Sequence, residues 1–92
     1  MEFLVRISVD LSADVTEPRR QELLEAEAER GRELLASGAL RRIWRVPGRR
    51  ANVSLYEASD PTELHALLMS LPLWPWMDIQ VEALATHPLE LP

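Results

Sequence analysis

Cysteine is absent from this 92-residue chain, and so is lysine: all ten basic residues are arginine. The first absence excludes disulfides, thiolate nucleophiles, Cys-ligated zinc and iron–sulfur clusters. The second excludes Schiff-base chemistry on a lysine and the lysine of a phosphate-binding loop. Positive charge is in the minority, with 15 acidic residues against 10 basic ones and a net charge of −5. That balance argues against nucleic acid as the main partner. No apolar run approaches the length of a membrane span, and Met1-Glu2-Phe3-Leu4 lacks the basic start and long apolar stretch of a signal peptide. The expectation is a soluble cytoplasmic protein with no membrane partner.

What is present is an ordinary globular balance, 47% hydrophobic and 27% charged. The length fits one small domain, residues 1–92, whose core is thin when it stands alone. Association with further copies is the remaining common route to added burial.

Residues 3–9 alternate, with Phe3, Val5, Ile7 and Val9 on one side and Leu4, Arg6 and Ser8 on the other, which predicts a half-buried strand. Thr16 ahead of Glu17-Pro18 reads as a helix N-cap. The Glu-, Leu-, Ala- and Arg-rich stretch to Ser37 is helical, with Gly38 as its C-cap. Its buried stripe is expected to be Leu23, Leu24, Ala28, Gly31, Leu34 and Leu35. Strands follow over 39–46 and 51–57, joined by the turn Pro47-Gly48-Arg49-Arg50. Asp60-Pro61 starts a second helix, with Leu64, Leu67 and Leu68 inward. After the aromatic connection Leu73-Trp74-Pro75-Trp76, residues 77–85 form a last strand, with Met77, Ile79, Val81 and Ala83 on one side. The order β-α-β-β-α-β is that of an α+β, ferredoxin-like fold. Two helices cover one sheet face, so a second subunit's sheet is the expected cover for the other, giving a dimeric α+β barrel.

Glu27 is the most informative residue, a carboxylate on the apolar stripe between Leu23 and Gly31. Burial there raises its pKa toward the range of a general base. The plainer possibility is a narrower stripe with Glu27 at its edge, solvated or paired with Arg30 or a strand arginine. In Arg41-Arg42-Ile43-Trp44-Arg45, alternation assigns Leu40, Arg42, Trp44 and Val46 to one face and Arg41, Ile43 and Arg45 to the other. Such arginines either clamp a carboxylate beside an aromatic or snorkel at the surface. Asn52 and Ser54 share a face and offer hydrogen bonds to a ligand or to neighbouring backbone. Trp74 and Trp76 are core or interface anchors, or the wall of a pocket. His65 and His87 are too far apart to form a metal-spacing motif.

The strings Gly38-Ala39-Leu40-Arg41-Arg42-Ile43-Trp44-Arg45-Val46-Pro47-Gly48, Ala51-Asn52-Val53-Ser54 and Leu71-Pro72-Leu73-Trp74-Pro75-Trp76-Met77-Asp78-Ile79-Gln80-Val81 resemble muconolactone delta-isomerase, and the likeness runs from Phe3 to His87-Pro88. The resemblance implies a ferredoxin-like dimeric barrel, typically assembled into decamers. It implies conversion of muconolactone to 3-oxoadipate enol-lactone in the β-ketoadipate pathway of aromatic catabolism, without a cofactor. A proton moves between carbons of an unsaturated lactone, so the reaction needs one base that returns its proton and donors for a dienolate. Glu27 matches an acidic helix position of the family. Arg41 and Arg45 match strand positions suited to clamp the substrate carboxylate, with Trp44, Asn52 and Ser54 lining the pocket. Leu40 and Arg42 stand where the family motif has Trp and His, Arg50 and Val53 where it has aromatics, and Trp74 and Trp76 where it has Phe and Tyr. These replacements remove polar groups and add cations. The substrate is therefore open between muconolactone and a larger or differently charged lactone. Cyclisation or oxygenation of a polyketide-like aromatic, and a non-catalytic ligand-binding oligomer, are the alternatives.

Overall fold

A computed structural model describes residues 1–91. The elements are β1 (Glu2–Val9), α1 (Arg19–Ser37), β2 (Leu40–Arg45), β3 (Ala51–Glu57), α2 (Pro61–Met69) and β4 (Met77–Leu84). The strands form one antiparallel sheet in the order β2-β3-β1-β4. This is the ferredoxin-like α+β arrangement that the element order predicts. No described helix is long and apolar enough to cross a membrane.

Alternation in β1 decides which sheet face the helices cover. Phe3, Val5 and Ile7 are buried, and Leu34 of α1, Tyr56 of β3 and Leu64 and Leu68 of α2 pack with them. Each fully buried side chain of this size contributes about 1.5–3 kcal/mol through loss of apolar contact with water. Register gives the covered face Asn52, Ser54 and Tyr56 from β3, and Met77 and Ile79 from β4. The cover ends beyond Ile79: Val81 is 46% exposed, and Ala83 is exposed with it. α2 has nine residues, a length of about 13 Å, and is too short to roof the whole of β4.

Three local expectations are corrected. Thr16 does not cap α1 with its side chain; its carbonyl accepts from the Arg20 N–H, and the helix begins at Arg19. The buried stripe of α1 is narrower than expected, with Leu23 and Leu34 buried and Glu27, Arg30 and Gly31 half-buried between them. Leu24 and Leu35 flank it at 44% and 45% exposure, and Ala28 is exposed too. Glu27 thus stands on the centre line of the stripe rather than at its edge.

The third correction concerns β2. Its register against β3 slips between Leu40 and Arg42, so Arg41 is the extra residue of a bulge. Leu40 therefore shares the covered face with Ile43 and Arg45, opposite Tyr56, Ser54 and Asn52. Arg42 and Trp44 stay on the open face, opposite Leu55 and Val53.

The connections follow their sequence chemistry. Gly38 terminates α1 at φ 84°, a left-handed conformation that only glycine adopts at low cost. Gly48, at φ 78°, follows Pro47 in the β2–β3 turn, where the Arg49 N–H donates to the Val46 carbonyl. Asp60 caps α2 by accepting from the Glu63 N–H at 2.8 Å, with Pro61 in the first turn.

Candidate active site

A cavity of about 530 Å³ opens between the N-terminal half of α1 and the adjacent end of the sheet. Ile43, Arg45, Arg50 and Asn52 reach it from the β2–β3 hairpin, and Arg20 and Leu24 from α1. Val9, Leu11 and Leu73 complete most of its wall. Arg20 holds the neighbouring loop in place by donating from Nη1 to the carbonyls of Ser12 and Val15, each at 3.3 Å. The wall has three guanidinium groups, from Arg20, Arg45 and Arg50, and no carboxylate. Asn52 Oδ1 is buried there without a hydrogen-bond partner among the described residues, an arrangement that costs free energy until something supplies a donor.

Glu27 lies behind Leu73. Its Oε1 accepts from the Leu73 N–H at 2.9 Å. The local sequence creates this donor. The chain folds tightly after α2, with Trp74 N–H on the Leu71 carbonyl and Trp76 N–H on that of Leu73. Pro72 and Pro75 stiffen the turn. Leu73 buries its side chain while its N–H turns toward α1. Burial raises the Glu27 pKa above the ordinary 4.5, and the Leu73 hydrogen bond partly opposes that rise. No ion pair competes for this carboxylate among the described residues. Arg30, one turn on, bonds instead to Ser70 Oγ at 2.9 Å and pairs with Glu33 at 3.5 Å. Tyr56 is pushed up to about 12 by burial first and the Glu27 charge second, with Arg30 pulling the other way, so its phenol stays neutral and protonated.

The remaining expected site residues are divided among different surroundings. Arg45 and Asn52 face the cavity as cross-strand partners. Ser54 shares their face but lies deeper; it is 1% exposed, its hydroxyl donates to the Val5 carbonyl at 3.3 Å, and it does not line the cavity. Trp44 belongs to the cavity rim in the chain path, yet register places its ring on the open sheet face. There the Arg42 guanidinium lies 4.9 Å from the ring centroid, a cation–π contact. Arg41, carried outward by the bulge, lines a separate void with Met1, Glu57 and His87. Trp74 packs edge-on against His65 at 6.5 Å, and neither Trp74 nor Trp76 lines the cavity.

Sequence reasoning missed Arg20, Leu73 and the inward direction of Arg50. Only Arg50 carried a readable signal, since alternation two residues ahead of Asn52 puts both on one face. No group of three or more His, Cys, Asp or Glu among the described residues gathers as a metal site.

Comparison with known proteins gives a consistent result. A family model described as muconolactone delta-isomerase matches residues 1–90. Muconolactone Delta-isomerase 2 of Acinetobacter lwoffii is 38% identical over 95% of this chain and 91% of its own length. The muconolactone delta-isomerase of Pseudomonas aeruginosa is 36% identical over 96% of this chain and 92% of its own. A crystal structure of muconolactone isomerase superposes with a TM-score of 0.89 at 38% identity, covering 96% of this chain and 92% of that one.

Proposed function

This chain belongs to the muconolactone delta-isomerase family, a family of intramolecular isomerases, and we propose that it isomerises muconolactone or a closely related unsaturated lactone with Glu27 as the proton carrier. The observation that carries this reading is the placing of Glu27: half-buried, unpaired with any cation among the described residues, steadied by one backbone N–H and adjacent to an arginine-lined cavity.

The chemistry requires a group that takes a proton from one ring carbon and returns it to another. Such a group works best when its pKa is drawn toward the operating pH. Partial burial does this for Glu27, and the Leu73 N–H fixes the carboxylate without neutralising it. Arg45 is the candidate clamp for the substrate carboxylate, since a guanidinium presents two parallel donors to a carboxylate. The unmet group of Asn52 is the acceptor Oδ1, which suits a donor on the ligand, so the donors that would stabilise a dienolate are the guanidinium N–H groups of the wall. Proton transfer between carbons calls for no cofactor.

The non-catalytic alternative would place tryptophan in a filled pocket and Glu27 in a surface ion pair. The cavity and the Glu27–Leu73 contact favour the enzyme. The open face of the sheet carries Leu4, Val53, Leu55 and Trp44 without a covering element, and pairing with a second copy's sheet would give them cover. Light scattering at micromolar concentration is expected to give at least a dimer mass; a monomer mass would remove this part of the reading.

The central test is muconolactone conversion followed by NMR with Glu27→Gln as the paired variant. Wild type is expected to convert the lactone. The variant should lose roughly 10²- to 10⁴-fold in rate, the usual contribution of a general base, while still binding substrate. Conversion by the variant at the wild-type rate would contradict the assignment.

A further inference from the structure

Two cations stand where the resemblance places uncharged or aromatic pocket residues, Arg42 and Arg50, and the structure separates them. Arg42 lies on the open sheet face over Trp44. Arg50 lies on the cavity wall beside Arg45 and Asn52. Only Arg50 therefore alters the charge seen by a ligand in that cavity.

The charge there is out of balance. Three guanidinium groups face the space and no carboxylate lines it, although the whole chain carries five more acids than bases. Neither Arg45 nor Arg50 joins an ion pair among the described residues; the pairs found are all elsewhere. The Arg20 contacts are to neutral carbonyls, which leave its charge uncompensated. With Glu27 ionised behind Leu73, three positive charges against one negative leave an excess of two. A lactone with a single carboxylate neutralises half of that excess.

We propose that the cavity is selective for a dianionic lactone, an unsaturated lactone bearing a second carboxylate, with Arg45 taking one carboxylate and Arg50 the other. This rests on the isomerase reading for the lactone ring, but the selectivity resides in the two arginines and is independent of the proton carrier. Separate guanidinium groups suit two carboxylates because each makes its own charge-assisted pair. A cavity of about 530 Å³ lies within the usual size range of small-molecule sites, so a second substituent fits.

The test is calorimetric binding of two probes, at low ionic strength, to the full-length chain carrying Glu27→Gln to stop turnover, and to the same chain with Arg50→Gln or Arg50→Lys added. The probes are muconolactone and a ring-carboxylated muconolactone. With Arg50 in place, the dicarboxylate is expected to bind about tenfold tighter. Arg50→Gln should lose about tenfold more affinity for the dicarboxylate than for the monocarboxylate, and Arg50→Lys should restore part of that difference. Equal affinity for both probes with Arg50 in place would overturn the proposal, as would a preference that survives Arg50→Gln. Binding is read without turnover in the Glu27→Gln chain, so a preference for the dicarboxylate there, with neither probe converted by wild type, refutes the isomerase reading alone. Conversion of muconolactone without the preference refutes only this proposal.

Discussion

The two ends of the sheet each carry a void, and they are built on opposite electrostatic plans. The larger, about 770 Å³, lies at the Met1 end, where Arg41 and the N-terminal ammonium meet Glu2, Glu57 and Glu90. Charges there offset one another, and the ammonium pairs directly with Glu57 at 3.0 Å. The smaller, about 530 Å³, holds three arginines and, among the described residues, no carboxylate and a buried amide oxygen without a partner. Half-buried Glu27 lies next to it. Volume alone favours the Met1 end. Unbalanced charge and an unmet acceptor support the smaller void as the proposed ligand site.

Strand β2 spans both ends, so its arginines offer the sharpest contrast. Arg45→Ala removes the proposed charge-assisted contact to the substrate carboxylate, with an expected rise in KM of roughly tenfold or more, since such bonds contribute about 1.5–3 kcal/mol. Arg41→Ala, beside the compensated void, is expected to leave KM within about twofold. Steady-state kinetics on the pair decides the matter, and a larger effect at Arg41 would reverse the assignment of the two ends.

A second contrast lies along β3. Ser54→Ala deletes a buried hydroxyl already bonded to the Val5 carbonyl, so it should cost about 1 kcal/mol in denaturant unfolding with KM unchanged. Asn52→Ala deletes an oxygen that has no partner among the described residues, and with it the amide N–H donors of a cavity-lining residue. Loss of the oxygen should leave stability unchanged or slightly higher, while loss of the donors should raise KM several-fold. The reverse pattern would mean that Ser54, rather than Asn52, meets the ligand.

The smallest effect is on stability against pH. The Glu27 pKa is raised on folding, so the folded chain retains this proton more tightly than the unfolded one. Its ionisation costs stability as pH climbs from the ordinary 4.5 through the raised value, and the cost is constant above that. Thermal melts should show wild type losing ground to Glu27→Gln across that window, with parallel curves beyond it. Parallel curves throughout would mean that folding leaves the Glu27 pKa unchanged, contradicting the rise assigned to burial.

Much of this was legible in the residues. Period-2 alternation and the Gly38, Pro47-Gly48 and Asp60-Pro61 signals gave four strands and two helices with boundaries close to those found. Helical spacing singled out Glu27. The β2 bulge left no trace in the hydrophobic pattern, because a one-residue slip at Arg41 is set by pairing with β3 rather than by its own side chains. That slip sent Arg41 and Leu40 to unexpected places. The Leu73 N–H was hidden for a different reason: backbone donors are common to nearly every residue, and only the folded turn shows which one is turned inward. The string Leu71-Pro72-Leu73-Trp74-Pro75-Trp76 that carries the family resemblance is the segment that steadies the Glu27 carboxylate.

The most direct test of the account is NMR titration of the Glu27 side-chain carboxyl carbon beside the acid limb of kcat/KM for muconolactone. The account predicts a midpoint above 4.5, with the rate rising as that same carboxyl ionises. A midpoint at or below 4.5, or a rate that follows a different group, would contradict Glu27 as the proton carrier.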